Sequence, residues 1–327
     1  MHNMATRNQK WALIITAYVA ACCLLHADVI IDLTFIGNPG NPADVDTGGG
    51  ANGAVSYGYY IGTYEVTVAQ YTEFLNAVAQ SDPYGLYNGS MADDGGIGSG
   101  CIVRSGTDGS YTYATVPGAE NQPVRWVSAF DAMRFANWMQ NGQGNASTEM
   151  GSYNLTVGDP TFVTRESGAT WALPTLDEWY KAAYYSPMGM YYDYPNGTDD
   201  VPPEPTDGTT PREMNFGDLP FWQGNTVYTS VGETMGQSPY GTFDQGGNVQ
   251  EWTETIDEAA PQYRVVRGGT AFNLAFGISA NASGGSPPSA DDGAGGFRLV
   301  FLIPEPSTAL LLALGVPLLA LFRRFTT

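Results

Sequence analysis

The pattern of apolar and polar positions divides the chain into two apolar ends and a long body whose periodicity is brief and local. Three helices are predicted in the body. Each opens on a hydroxyl residue with a polar partner three positions on, the capping-box arrangement in which side chains satisfy the first backbone N–H groups. Thr67 with Gln70 precedes Tyr71, Phe74, Leu75 and Val78; Ser128 with Asp131 precedes Met133, Phe135 and Trp138; Thr175 with Glu178 precedes Trp179, Ala182 and Ala183. Each apolar set falls on one helical face. Short β-branched and aromatic runs, Tyr59-Tyr60-Ile61-Gly62-Thr63-Tyr64 and Arg264-Val265-Val266-Arg267, predict strands. Gly, Asn, Asp and Pro recur between them, as at Asn38–Pro42 and Ser283–Pro288, so irregular loops outweigh regular structure. A mixed α+β domain with small sheets and few helices follows.

The ends carry different information. Arg7 and Lys10 stand ahead of an apolar run from Trp11 to Leu25 that closes on Ala27, the order of a secretory signal peptide over 1–27. Val19-Ala20-Ala21-Cys22 also fits a lipobox, in which Cys22 would be lipidated. After a body over 28–303, Pro304-Glu305-Pro306 introduces a short apolar run from Ala309 to Phe322 and a basic stop at Arg323-Arg324. That run is at the short limit for a transmembrane segment, with its arginines on the cytoplasmic side.

Charge and residue usage narrow the chemistry. The formal net charge is −20, and the body holds nine basic residues against 32 acidic ones. Such a balance repels nucleic acid and anionic membrane surfaces and suits divalent cations, whose natural ligands are carboxylate and carbonyl oxygens. Both histidines (His2, His26) and two of the three cysteines (Cys22, Cys23) lie in the leader, so the body has one thiol, Cys101, and no imidazole. Ser-His-Asp, Cys-His and His-zinc mechanisms are excluded there, as is an intramolecular disulfide. Carboxylate acid/base work on glycans remains open, although the sequence nominates no pair.

The ordered landmarks of the body resemble a known family. Ile61-Gly62-Thr63-Tyr64-Glu65-Val66-Thr67, Pro123-Val124-Arg125-Trp126-Val127-Ser128, Leu173-Pro174-Thr175, Gly247-Asn248-Val249-Gln250-Glu251-Trp252, Arg267-Gly268-Gly269 and Gly296-Phe297-Arg298-Leu299-Val300 follow in sequence. They are similar to motifs of the formylglycine-generating enzyme, or sulfatase-modifying factor, family. The resemblance implies a C-type-lectin-like fold and, commonly, bound calcium. It also implies an oxidase acting on a sulfatase cysteine through two copper-binding cysteines just beyond the Arg-Gly-Gly motif. Here Asn273 and Ile278 stand in those places, neither can bind copper(I), and copper is not expected. The family's calcium loop does carry over: Asp244 and Glu251 would supply carboxylates, Gly247 and Val249 backbone carbonyls. A bland alternative has Asp244 capping a turn and Glu251 pairing with an arginine such as Arg267.

The C-terminal order of motif, span and basic stop resembles the PEP-CTERM sorting signal, over 304–327. It implies transient membrane anchoring, processing by an exosortase after Sec export, and a surface or matrix destination in a Gram-negative bacterium. Two functional expectations follow. One is a non-catalytic module binding extracellular polysaccharide or a matrix protein, with aromatics such as Tyr184-Tyr185, Tyr191-Tyr192 and Phe221-Trp222 available to stack on sugars. The other is an enzyme of the family, oxidase-like or carboxylate-based.

Overall fold

The computed structural model describes residues 28–45, 50–93, 100–203, 213–217 and 227–303. The leader with its lipobox, the tail after Ile303 and the Phe221-Trp222 pair lie outside these residues.

All three predicted helices form, with the predicted caps. Helix α1 (Val68–Val78) is capped by Thr67 with Gln70, α2 (Ala129–Gln140) by Ser128 with Asp131, and α3 (Leu176–Tyr184) by Thr175 with Glu178; each capping box is reciprocal. The apolar faces of α1 and α2 meet in an aromatic core, while Trp179, Tyr180, Ala183 and Tyr184 of α3 form a second cluster with Ala280. Phe74 lies 5.3 Å from Phe135 and 5.4 Å from Trp138, and Phe135 lies 5.4 Å from Phe297. Edge-on contacts of this kind add to the area they bury.

The strands are short and build three sheets among the described residues. In the first, β1 (Leu33–Ile36), β2 (Tyr59–Gly62), β10 (Val300–Leu302) and β5 (Trp171–Ala172) are antiparallel in that order. The register Phe35↔Tyr60↔Phe301↔Trp171 makes a ladder of rings across it. The second pairs β3 (Ile102–Ser105) with β4 (Thr112–Thr115). The third runs β8 (Gly284–Ser286), β7 (Arg264–Arg267), β6 (Gln250–Ile256) and β9 (Gly295–Gly296), the last pair parallel. Predicted strand Arg264–Arg267 is observed as such, whereas the run from Tyr59 stops at Gly62, where the chain turns.

Arg298 joins the first and third sheets. Its guanidinium, fully buried, donates to the carbonyls of Gly62, Thr63 and Phe243 and grips both carboxylate oxygens of Glu251 on β6. Cys101 is buried. Among the described residues no helix is long and apolar enough to cross a membrane.

Candidate functional site

The landmark region converges on the end of β7. Glu251 faces Arg267 in the β6–β7 register, and β7 ends in the Gly268-Gly269 turn. Asn273 then braces that turn: its Oδ1 accepts from the Thr270 N–H at 2.7 Å and the Thr270 hydroxyl at 3.1 Å, and its N–H donates to the Thr270 carbonyl at 3.0 Å. A single turn of 3-10 helix follows over Ala275–Ile278. Ile278 points inward, fully buried with Tyr194, Met214 and Phe216. Of the two positions where the family resemblance would put thiolates, one is thus a turn brace and the other a core residue.

A cavity of about 360 Å³ opens beside this turn, lined by Gln250, Arg267, Asn273, Phe276, Asn281 and Ser283 among others. Phe276, 70% exposed, stands at its rim. Arg267 is 3% exposed and lies over the rings of Trp179, Tyr180 and Tyr184. It donates to the carbonyls of Ala280 and Ala282, while its Nε has no hydrogen-bond partner. The lining offers amides, a hydroxyl, a guanidinium and a phenyl edge. It includes no thiol, imidazole or carboxylate among the described residues. Such walls can hold a polar, uncharged ligand by hydrogen bonds and ring contact.

The calcium-loop residues come together on the other side of β6. Asp244 (φ +61°), Gly247 (φ +97°) and Asn248 (φ +55°) all take left-handed backbone, which coils the loop tightly. Only glycine fits at 247, where a Cβ would sit 2.0 Å from the Asn215 carbonyl oxygen. Asp244 accepts from the Gly232 N–H at 2.6 Å and the Thr234 hydroxyl at 2.9 Å. Burial raises its carboxyl above the ordinary range, and the Glu251 charge adds to this.

Glu251 does pair with an arginine, as the alternative reading of the loop had it, but the partner is Arg298 rather than Arg267. Its Oε2 accepts from Arg298 Nε at 2.6 Å and from Trp179 Nε1 at 2.8 Å, and its Oε1 from Arg298 at 2.7 Å. β7 turns the Arg267 side chain toward the tyrosines, whereas Arg298, 47 residues beyond Glu251, reaches back beneath it. Of roughly four acceptor positions on a carboxylate, Asp244 keeps two and Glu251 one. Among the described residues no three of His, Cys, Asp and Glu gather as a metal-binding group. What favours a cation is the neighbouring Glu65, 2% exposed, whose two carboxylate oxygens have no hydrogen-bond partner. Its place within a family motif was visible in the sequence; its burial without a partner was not.

Two other carboxylates draw together around one arginine. Arg165 bridges Glu178 at 2.8 Å and Glu254 at 2.8 Å, while Tyr57 and Tyr153 donate to the same two acids. Tyr184 and Tyr185, offered above as sugar-stacking rings, are core residues at 0% and 4% exposure, and Tyr191 is half-buried against Tyr180 and Tyr185.

Few helices, several small sheets and a loop-built centre define a protein of the C-type-lectin-like formylglycine-generating-enzyme fold. The chain belongs to the family described as the sulfatase-modifying factor enzyme 1-like domain, which matches residues 43–303. A search of curated proteins finds no match. Among solved structures, Treponema denticola variable protein 1 is similar at 19% identity and a TM-score of 0.54, over 85% of this chain and 97% of its own. CarF is similar at 20% identity and a TM-score of 0.55, over 85% of this chain and 100% of its own. These likenesses concern the fold.

Proposed function

We propose that this protein is an exported binding module that uses the cavity beside the Arg267-Gly268-Gly269 turn to hold a glycan unit of an extracellular polysaccharide. The observation that carries the reading is the conversion of the two thiolate positions into a turn brace, Asn273, and a core residue, Ile278. Oxidase chemistry needs soft ligands at those points, and none stands there. The cavity has the volume of a small-molecule site and hydrogen-bonding walls suited to hydroxyl groups. The leader over 1–27 and the Pro304-Glu305-Pro306 tail would direct the body, 28–303, through Sec export and exosortase processing to the cell surface or matrix.

Calcium belongs to the same reading. Asp244 and Glu251, through their remaining lone pairs, and the carbonyls of Gly247 and Val249 would hold it, and the ion would brace a loop built on three left-handed residues. Its role would be to order the loop.

The test is retention of the purified full chain on immobilised exopolysaccharide at fixed calcium, comparing wild type with Phe276→Ala and Asn281→Ala. Saturable retention that falls at least fivefold in Phe276→Ala, with an unchanged melting temperature, is expected. Equal retention of both variants and wild type, or none by any, would overturn the assignment. Copper content of the same sample is expected to be far below stoichiometric.

A further inference from the structure

Glu65 follows the end of β2 and is walled in by three segments. The Phe243 N–H donates to the Thr63 carbonyl at 2.9 Å, the Val66 N–H donates to the Phe297 carbonyl at 2.8 Å, and the Tyr64 ring packs 5.6 Å from Phe243. The side chain thus lies among the strand end, the segment entering the calcium loop, and the Phe297-Arg298 turn. Asp244, Glu251 and Arg298 are the charges it feels most strongly.

Of the buried carboxylates Glu65, Asp244 and Glu251, only Glu251 is hydrogen-bonded to Arg298, and that guanidinium has nothing left to give. Arg298 has five N–H donors. Nε goes to Glu251; NH1 goes to Gly62 and Thr63; NH2 goes to Phe243 and Glu251. Asp244 and Glu251 are hydrogen-bonded to other residues, whereas both oxygens of Glu65 are buried with no partner beyond the Glu65 backbone itself. A neutral carboxylic acid would also need a partner for its hydroxyl, so protonation alone leaves the group unsatisfied. Leaving such a group buried costs free energy that a bound cation would offset.

We propose that Glu65 is a ligand of a calcium-type divalent cation seated between Glu65 and Asp244, a role outside the loop set of Asp244, Gly247, Val249 and Glu251. The choice of ion rests on the calcium reading above. Two carboxylates begin an all-oxygen shell, which carbonyls and water complete. A cavity of about 450 Å³ provides access: Glu65 is among its lining residues, with Asp32, Tyr64, Thr67, Asn121 and Ser230 around it. No basic residue lines that cavity among the described residues, and Asp32 adds a negative charge at its wall.

The experiment is calcium titration of the EDTA-stripped full chain by calorimetry and thermal melting, with terbium luminescence as a second measure of the same site. Wild type is expected to bind calcium and to melt several degrees higher with it. Glu65→Gln is expected to melt no lower than wild type in EDTA, since an unpaired carboxylate has gone, and to lose at least tenfold in calcium affinity. A Glu65→Gln protein with the full calcium response, or a wild type with none, would overturn the proposal. Should Glu65→Gln fail to fold, anomalous scattering from terbium-soaked wild-type crystals decides. A peak within bonding distance of the Glu65 carboxylate supports the assignment, and its absence there overturns it. Polysaccharide retention is measured at fixed calcium, so loss of the glycan reading leaves this result standing, and the reverse.

Discussion

Asn273 and Ile278 are each held by contacts of their own, one in a turn and one in the core. Ile278 fills space between Tyr194, Met214 and Phe216, so Ile278→Ala is expected to cost about 2–5 kcal/mol in urea denaturation, the range for opening a cavity in a packed core. Asn273→Ala removes the acceptor of two hydrogen bonds from Thr270 and is expected to cost about 1–2 kcal/mol. A residue retained only by drift would show neither loss. Arg298 is the more severe case: it satisfies Glu251 and three carbonyls in a site closed to water. Arg298→Ala leaves that carboxylate uncompensated and is expected to cost about 3–5 kcal/mol by the same measurement. Arg298→Lys should recover less than half, because an ammonium cannot reproduce a five-donor planar fork.

At the scale of elements, legibility followed locality. The three helices were readable because each cap lies within four residues of the side chain that completes it. Strands β8 and β9, Gly284–Ser286 and Gly295–Gly296, oppose strand propensity and could not be read. Gly296 is there because a Cβ would meet Val249 at 2.7 Å and the Val124 carbonyl at 2.8 Å, contacts set by packing across more than forty residues. The site divides in the same way. The residues at the two expected cysteine positions and the turn-forming glycines before Glu251 are local features, whereas the partner of Glu251 and the isolation of Glu65 depend on which distant segment folds over them.

The α2 cap also gives a pH prediction. Burial raises the Asp131 carboxyl to about 6, against hydrogen bonds from Ser128 that act the other way. In the unfolded chain the group returns to about 4. Between these values the folded form holds the proton more tightly, so this contribution is fully present below about pH 4 and is lost as pH rises through 6. A two-unit shift corresponds to about 2–3 kcal/mol. Asp131→Asn keeps an oxygen to accept from Ser128 and cannot titrate. The stability difference between wild type and this variant, from urea midpoints at pH 4 to 7, is therefore expected to slope against wild type as pH rises. A flat difference would place the carboxyl at its ordinary value.

For the whole molecule, the placement of the few basic residues matters more than their number. Lys181, Arg264, Arg267 and Arg298 are buried, as is Arg125 over the Tyr228 ring, and Arg134 and Arg165 are spent on Glu149 and on Glu178 with Glu254. Most of the described positive charges serve as internal staples, Arg104 on the exposed side of β3 being the exception, and the field outside is left largely to the acids of a chain whose net charge is −20. Repulsion among exposed carboxylates is screened by salt, whereas the buried pairs are screened much less. Raising sodium chloride from about 10 to about 150 mM shortens the screening length from about 30 to about 8 Å. The melting temperature is therefore expected to rise across that interval, even in EDTA. A fall would mean that ion pairs at the surface, rather than repulsion, dominate the electrostatics. The same field bears on the choice of partner: with cations removed and salt low, an anionic polymer should be excluded from the surface, and a neutral glycan should still reach a cavity whose only charged wall residue among the described residues is Arg267.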